Sequence, residues 1–156
     1  MKTIKYLFVG ALMTVLSVPA MAQVSIADAV KEIKSSKDAK ATEAVVKQAY
    51  KLVKKDAVEV AKLGRAYLDV KDTLNARKYA QLAIKANKNS AAGYLLQGDI
   101  EVFNDNPGEA AAWYQNAIYF DSKNAEAYKK YAFIYRGRDP KQAVQTLEQL
   151  RTVDPS

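Results

Sequence analysis

Apolar and small residues recur along this chain at a fixed interval of 34 positions. With Ala91–Asn124 as the reference stretch, Val60 answers Tyr94, Gly64 answers Gly98, Ala76 answers Ala110, Tyr79 answers Trp113 and Ala83 answers Ala117, each 34 positions away. Tyr128 and Ala132 follow Tyr94 and Gly98 at the same spacing, and Ala143, Leu150 and Asp154 then follow Ala110, Ala117 and Asp121 at 33. A period in this range marks a stack of repeats, none of which buries its apolar face alone. Within each period the apolar positions fall three and four apart, the spacing of helices.

The pattern divides 57–156 into units 57–90, 91–124 and 125–156. It predicts helices over about 57–70 and 74–86 in the first unit, with the Lys71-Asp72-Thr73 turn between them. Asn104-Asp105-Asn106-Pro107-Gly108 predicts a turn in which Asn106 caps the following helix, Pro107 takes its first position and Glu109 completes a capping box. Asp139-Pro140-Lys141-Gln142 repeats that device before a last helix over about 141–153. The stretch 23–56 is less regular. Ser25 and Asp28 predict a capping box, Ala29, Val30 and Ile33 a short apolar stripe, and 35–40 a break. A helix over 41–54 with Ala44, Val45, Ala49 and Leu52 inward would complete a degenerate pair that caps the stack; a flexible leader with one helix is the alternative.

Gly64, Gly98 and Ala132 lie mid-way along the first helix of each unit, and Ala76, Ala110 and Ala143 near the start of the second. Glycine inside a helix costs about 1 kcal/mol relative to alanine, so its place here requires close helix approach. Taken together, these aromatic, small and alanine positions resemble the tetratricopeptide repeat (TPR) over 57–156. The resemblance implies an all-α, right-handed solenoid of antiparallel helix pairs. There are departures: Glu101 stands where Tyr67 and Tyr135 supply an aromatic, and Lys88 and Ser122 stand where Pro155 supplies a proline.

On the first helix of the central unit, Tyr94, Gln97, Gly98 and Glu101 face the partner helix, while Gly93, Leu96 and Ile100 face a neighbouring unit. The third sector, which the resemblance implies is the concave groove, holds Ala92, Leu95, Asp99, Val102 and Phe103. Its equivalents are Val58, Ala61, Arg65, Leu68 and Asp69 before it, and Glu126, Lys129, Phe133, Arg136 and Gly137 after it. Leu68, Leu95, Val102, Phe103 and Phe133 thus form an expected apolar strip, bordered by Arg65, Asp69, Asp99, Lys129 and Arg136. Such a strip suits a peptide with apolar anchors and acidic groups; the alternative is that Phe103 and Phe133 pack into helix ends or cap a neighbour. Some TPR proteins hold a C-terminal carboxylate with lysines and asparagines, but Ala61, Arg65, Leu95, Asp99, Lys129 and Phe133 do not form that clamp.

Composition narrows the chemistry. The chain of 156 residues has no cysteine and no histidine, which removes disulfides, the usual zinc sites and imidazole-based catalysis. No catalytic residue, cofactor or metal is expected. Trp113, Tyr128, Tyr131 and Tyr135 have core spacing, with a sugar platform as the alternative, and Asp99, Glu101 and Asp105 are expected to be solvated or capping. Lys2, Lys5, the apolar run 7–18, Pro19 and Ala20-Met21-Ala22 form a secretory signal over 1–22, with cleavage before Gln23. That run is short of the ~20 residues of a spanning anchor. Without the leader's two lysines the net charge of +7 falls to about +5, spread over helix surfaces, which suits solubility better than nucleic acid.

These readings converge on an exported, non-catalytic protein-interaction module, periplasmic or secreted. The alternative is an assembly subunit of an envelope complex, or a homodimer, joined through the apolar stripe Val144, Leu147, Leu150 and Val153 of the uncapped last helix. A helical enzyme is a third class, disfavoured by the missing imidazole and thiol.

Overall fold

A computed structural model describes residues 24–155; the expected leader 1–22 and its cleavage site lie outside the described residues. The helices are α1 (Ile26–Ser35), α2 (Ala39–Val53), α3 (Ala57–Asp69), α4 (Thr73–Ala86), α5 (Ala91–Phe103), α6 (Pro107–Phe120), α7 (Ala125–Tyr135) and α8 (Pro140–Val153). Among the described residues there is no strand, and no helix is long and apolar enough to cross a membrane. Successive helices pack as antiparallel pairs, and each pair stacks on the next.

Short polar residues set the boundaries. Ser25 and Asp28 form the reciprocal capping box, and Asp38, Asp56, Asp72, Ser90, Asn124 and Asp139 each accept from a first-turn N–H of their helix. Asn106 departs from expectation. It holds the N-cap position before Pro107, yet its side chain makes no cap bond and Glu109 completes no box. The Asn106 amide instead donates to Glu101 Oε2 at 3.2 Å. In the turns after α3 and α5, Lys71 (φ 66°) and Asp105 (φ 59°) adopt the left-handed conformation. The Asp72 and Asn106 N–H groups then reach back to the carbonyls of Tyr67 and Glu101 at 2.9 and 2.8 Å, so both turns close in the same way.

Close approach explains the glycines. A Cβ on Gly98 would enter the Tyr114 ring of α6, and one on Gly64 would meet Leu96 of α5 while standing 3.1 Å from the Ala76 carbonyl oxygen. Gly93 is tightest against backbone: its Cβ would stand 2.8 Å from the Ile84 nitrogen and 2.9 Å from the Ala80 oxygen of α4. These three contacts join α5 to its own partner helix, to the helix before it and to the preceding first helix.

One apolar cluster runs from α1 to α5 and includes Ala29, Val46, Leu63, Tyr79, Leu96 and Ile100. A second gathers Tyr94, Leu95, Ala110, Tyr114, Ala117 and Ala127 from α5, α6 and α7. The aromatic residues fill these layers: Tyr94 stacks on Phe120 (centroids 4.9 Å) and leans on Trp113 (6.4 Å), while Tyr131 meets Tyr135 (5.0 Å). In α2 the inward face differs in part from expectation, for Ala49 is buried as expected but Ala44 and Leu52 are exposed while Thr42 and Val46 are buried. The cause is docking: α1, not α2, makes the larger contact with α3, so α2 turns its buried face toward α1.

Gly93→Ala is expected to destabilise the fold by about 1–3 kcal/mol, because the added methyl meets backbone that cannot rotate away. Gly108→Ala, with nothing within 4 Å of its Cβ position, is expected to be neutral or slightly stabilising. Urea midpoints of the two variants check this; equal effects would remove the packing explanation.

Candidate functional site

The third sectors of α3, α5 and α7 lie side by side, and the charges on them meet first. Asp99 on α5 is 9 % exposed. Its carboxylate accepts from Arg65 of α3, from Lys130 Nζ of α7 at 2.8 Å and from the Tyr114 hydroxyl of α6 at 2.5 Å. Burial pushes this carboxyl up, but the Lys130, Tyr114 and Arg65 bonds outweigh it and hold it below the ordinary range. Burial, and after it the same bond to Asp99, push the Tyr114 phenol up, so it remains a donor. Asp99 therefore ties four helices together and corrects two expectations: it is not solvated, and it leaves Arg65 no free charge for a ligand.

Glu101 is corrected likewise. It is buried, accepting from Arg77 of α4 at 2.7 Å and from Asn106, which explains how a carboxylate replaces the aromatic at this repeat position. Burial raises this carboxyl and the Arg77 and Asn106 bonds more than offset it, leaving it lowered. Asp105 alone of the three acids stays exposed, in its left-handed turn.

The expected apolar strip is only partly open. Leu68 and Leu95 are buried in the two clusters, because neighbouring helices cover the sector that helical spacing assigns to the groove. Asp69 is exposed but pairs with Lys34 of α1 at 2.6 Å. Phe103 is 48 % exposed, yet it lines none of the hollows on this face. Phe133 is the centre of what remains: 64 % exposed, with the Arg136 guanidinium 5.0 Å from its ring centroid.

Two shallow hollows meet at Phe133. One of about 360 Å³ is lined by Val102, Tyr114, Lys130 and Ile134, and one of about 220 Å³ by Ala132, Arg136, Ala143 and Leu147; both share Lys129 and Phe133. Lys129 and Arg136 make no ion pair among the described residues. A further hollow of about 380 Å³ lies toward α3, bounded by Val58, Ala61, Arg65, Ala92, Leu95 and Glu126 among others. The surface thus offers apolar walls and two uncompensated cations at the α5–α7–α8 end.

Sequence reasoning missed Lys130 and Leu147 as parts of this face. The repeat register aligns Lys130 with Leu96, a position facing a neighbouring pair, and only its long stem brings the ammonium across to Asp99. Leu147 belongs to a second helix of a pair, outside the sectors from which the groove was read.

No family model matches the sequence, and a search of curated proteins finds no match. Solved structures do match. A MamA crystal structure superposes with a TM-score of 0.59 at 19% identity, over 83% of this chain and 73% of that one. Another MamA structure gives 0.60 at 19% identity, over 85% and 80%. YrrB, described as a TPR protein with an unusual peptide-binding site, gives 0.56 at 18% identity, over 81% of this chain and 63% of that one. At such identities the likeness shows the fold, and the fold is the TPR type of helix-pair solenoid.

Because the folded Asp99 carboxyl lies below its unfolded value of about 3.9, its stabilisation is present above that pH and is lost as pH falls through the lower folded value. Asp99→Asn is expected to cost about 2–3 kcal/mol at neutral pH, and the gap to wild type to narrow progressively as pH falls below the unfolded value of about 3.9. Urea unfolding at neutral pH and below that value measures both effects; a pH-independent gap would show that Asp99 acts by shape alone.

Proposed function

We propose that this protein is a non-catalytic interaction module that holds a segment of another protein against the α5–α7–α8 face. One observation carries the reading: Val102, Phe133 and Leu147 form adjoining apolar walls beside Lys129 and Arg136, two cations that make no ion pair among the described residues. A bulky apolar side chain on Phe133, followed by an acidic group on Lys129 or Arg136, is the complementary ligand. The TPR-type fold supports this reading, as does its likeness to YrrB, a TPR protein with an unusual peptide-binding site. The chemistry agrees with it, since the chain lacks histidine and cysteine and its buried acids Asp99 and Glu101 are committed to cations. The signal-like pattern over 1–22 supports an encounter outside the cytoplasm, in the periplasm or beyond it, as part of this proposal.

A second reading has its own observation. Val144 and Leu147 are exposed on α8, which suits a homodimer or a docked subunit of an envelope assembly. Val144 lines neither hollow at Phe133, so it separates the two ideas.

Selection of a random peptide library on the immobilised protein is expected to enrich acidic segments that contain a bulky apolar residue. Phe133→Ala is expected to weaken their Kd about tenfold or more by fluorescence anisotropy, Arg136→Ala less, and Phe103→Ala hardly at all. Unchanged affinity in Phe133→Ala would end the groove reading. Loss of self-association in Val144→Ser, with peptide affinity intact, would support the second.

A further inference from the structure

Two junctions between helix pairs share a register but end differently. At α4–α5 the Arg77 guanidinium bonds one oxygen of Glu101 and the Asn106 amide bonds the other, closing the space between the pairs. Glu43, Tyr67 and Asp72 stand 34 positions earlier, at α2–α3. No hydrogen bond or ion pair joins Glu43 to Tyr67 among the described residues, and a cavity of about 410 Å³ lies there. The 36–38 connection and the start of α2 form one wall, and α3 with the first turns of α4 form the other.

Tyr67 and Tyr79 line the cavity, and their hydroxyls have no hydrogen-bond partner among the described residues. Tyr67 and Tyr79 are 8 % and 6 % exposed, with their rings stacked at 5.6 Å and 13°. Neither hydroxyl makes a hydrogen bond among the described residues, although Tyr114 and Tyr128 elsewhere in the stack both do. No fully buried side-chain oxygen or nitrogen is left unpartnered among the described residues, so both hydroxyls retain accessible surface, and both residues line this cavity. Burial pushes both phenols up, helped by Asp72 and then Glu43 at Tyr67, and by Tyr67, Tyr50 and then Glu43 at Tyr79. Each hydroxyl therefore stays protonated and offers a donor and an acceptor.

The surrounding charges are of both signs and do not neutralise one another. Lys37 and Lys78 make no ion pair among the described residues, and the Lys78 ammonium stands 5.7 Å from the Tyr79 ring centroid. Glu43 likewise has no cation, and Asp72 spends its carboxylate on Asn75 alone. The space lies within the range of small-ligand sites, roughly 300–1,000 Å³.

We infer that this cavity is a binding site for a small zwitterion, a free amino acid or dipeptide. Its ammonium meets Glu43 and the Tyr67 hydroxyl. Its carboxylate meets Lys37, Lys78 and the Tyr79 hydroxyl. This site lies at the opposite end of the stack from Phe133 and does not depend on the peptide face.

Saturation-transfer NMR on the purified protein tests the inference with three probe sets: free amino acids with simple dipeptides, their N-acetyl forms, and their C-terminal amides. Transfer is expected to at least one free amino acid or dipeptide and is expected to vanish when either end is blocked. Tyr67→Phe and Tyr79→Phe, which keep the ring stack, are each expected to weaken its Kd about fivefold, and Glu43→Gln at least as much. Absence of transfer to every free probe, equal transfer to the blocked forms, or unchanged affinity in both phenylalanine variants would overturn it.

Discussion

The structure depends on helices approaching more closely than a side chain permits. Gly64, Gly93 and Gly98 each stand where a single carbon would strike a neighbour, and the neighbours belong to different helices. Around these points the larger residues interlock as knobs beside a gap, so apolar burial and exact spacing come from the same positions. The pitch of the stack follows from these contacts, and so does the distance between successive first helices. Were that distance a few ångströms larger, Arg65 and Lys130 would not both reach Asp99.

That reach has a consequence for the exposed face. A carboxylate buried without partners would be costly; one that accepts from a guanidinium, an ammonium and a phenol is held, and it holds α3, α5, α6 and α7 in register. The charges near the middle of the face are consumed by this arrangement. Toward its margins Lys129 and Arg136, which make no ion pair among the described residues, stand beside Phe133. The same rule separates two of the inter-pair junctions: one is filled by Arg77 and Glu101, the other presents Glu43 to a tyrosine and stays open.

Helix positions were legible because independent signals agreed. The 34-residue period, the Asp, Asn and Ser caps and Pro107 and Pro140 all mark the same boundaries, and glycines in mid-helix announce close contact. The face was legible in direction but not in depth. Helical spacing puts Leu68 and Leu95 on the sector of Val102 and Phe133, yet whether a residue on it is open depends on the length of side chains across the gap. Lys130 escaped notice because its backbone belongs to one sector and its ammonium to another. Asn106 occupied its expected cap position, but the buried Glu101 beside it claimed the amide, a competition that no local motif reveals. At α2 the apolar count was too thin to choose a face, and docking through α1 decided it.

Among the helices described, only α5 has buried residues in both apolar clusters: Leu96 and Ile100 in one, Tyr94 and Leu95 in the other. Each cluster otherwise draws its buried residues from its own side of that helix. A lineage that duplicated or lost a hairpin at either end would leave the opposite cluster's interior untouched, whereas a substitution that rotated α5 would be felt in both. The length of such a protein is therefore free to drift between descendants while the composition of this one helix is not.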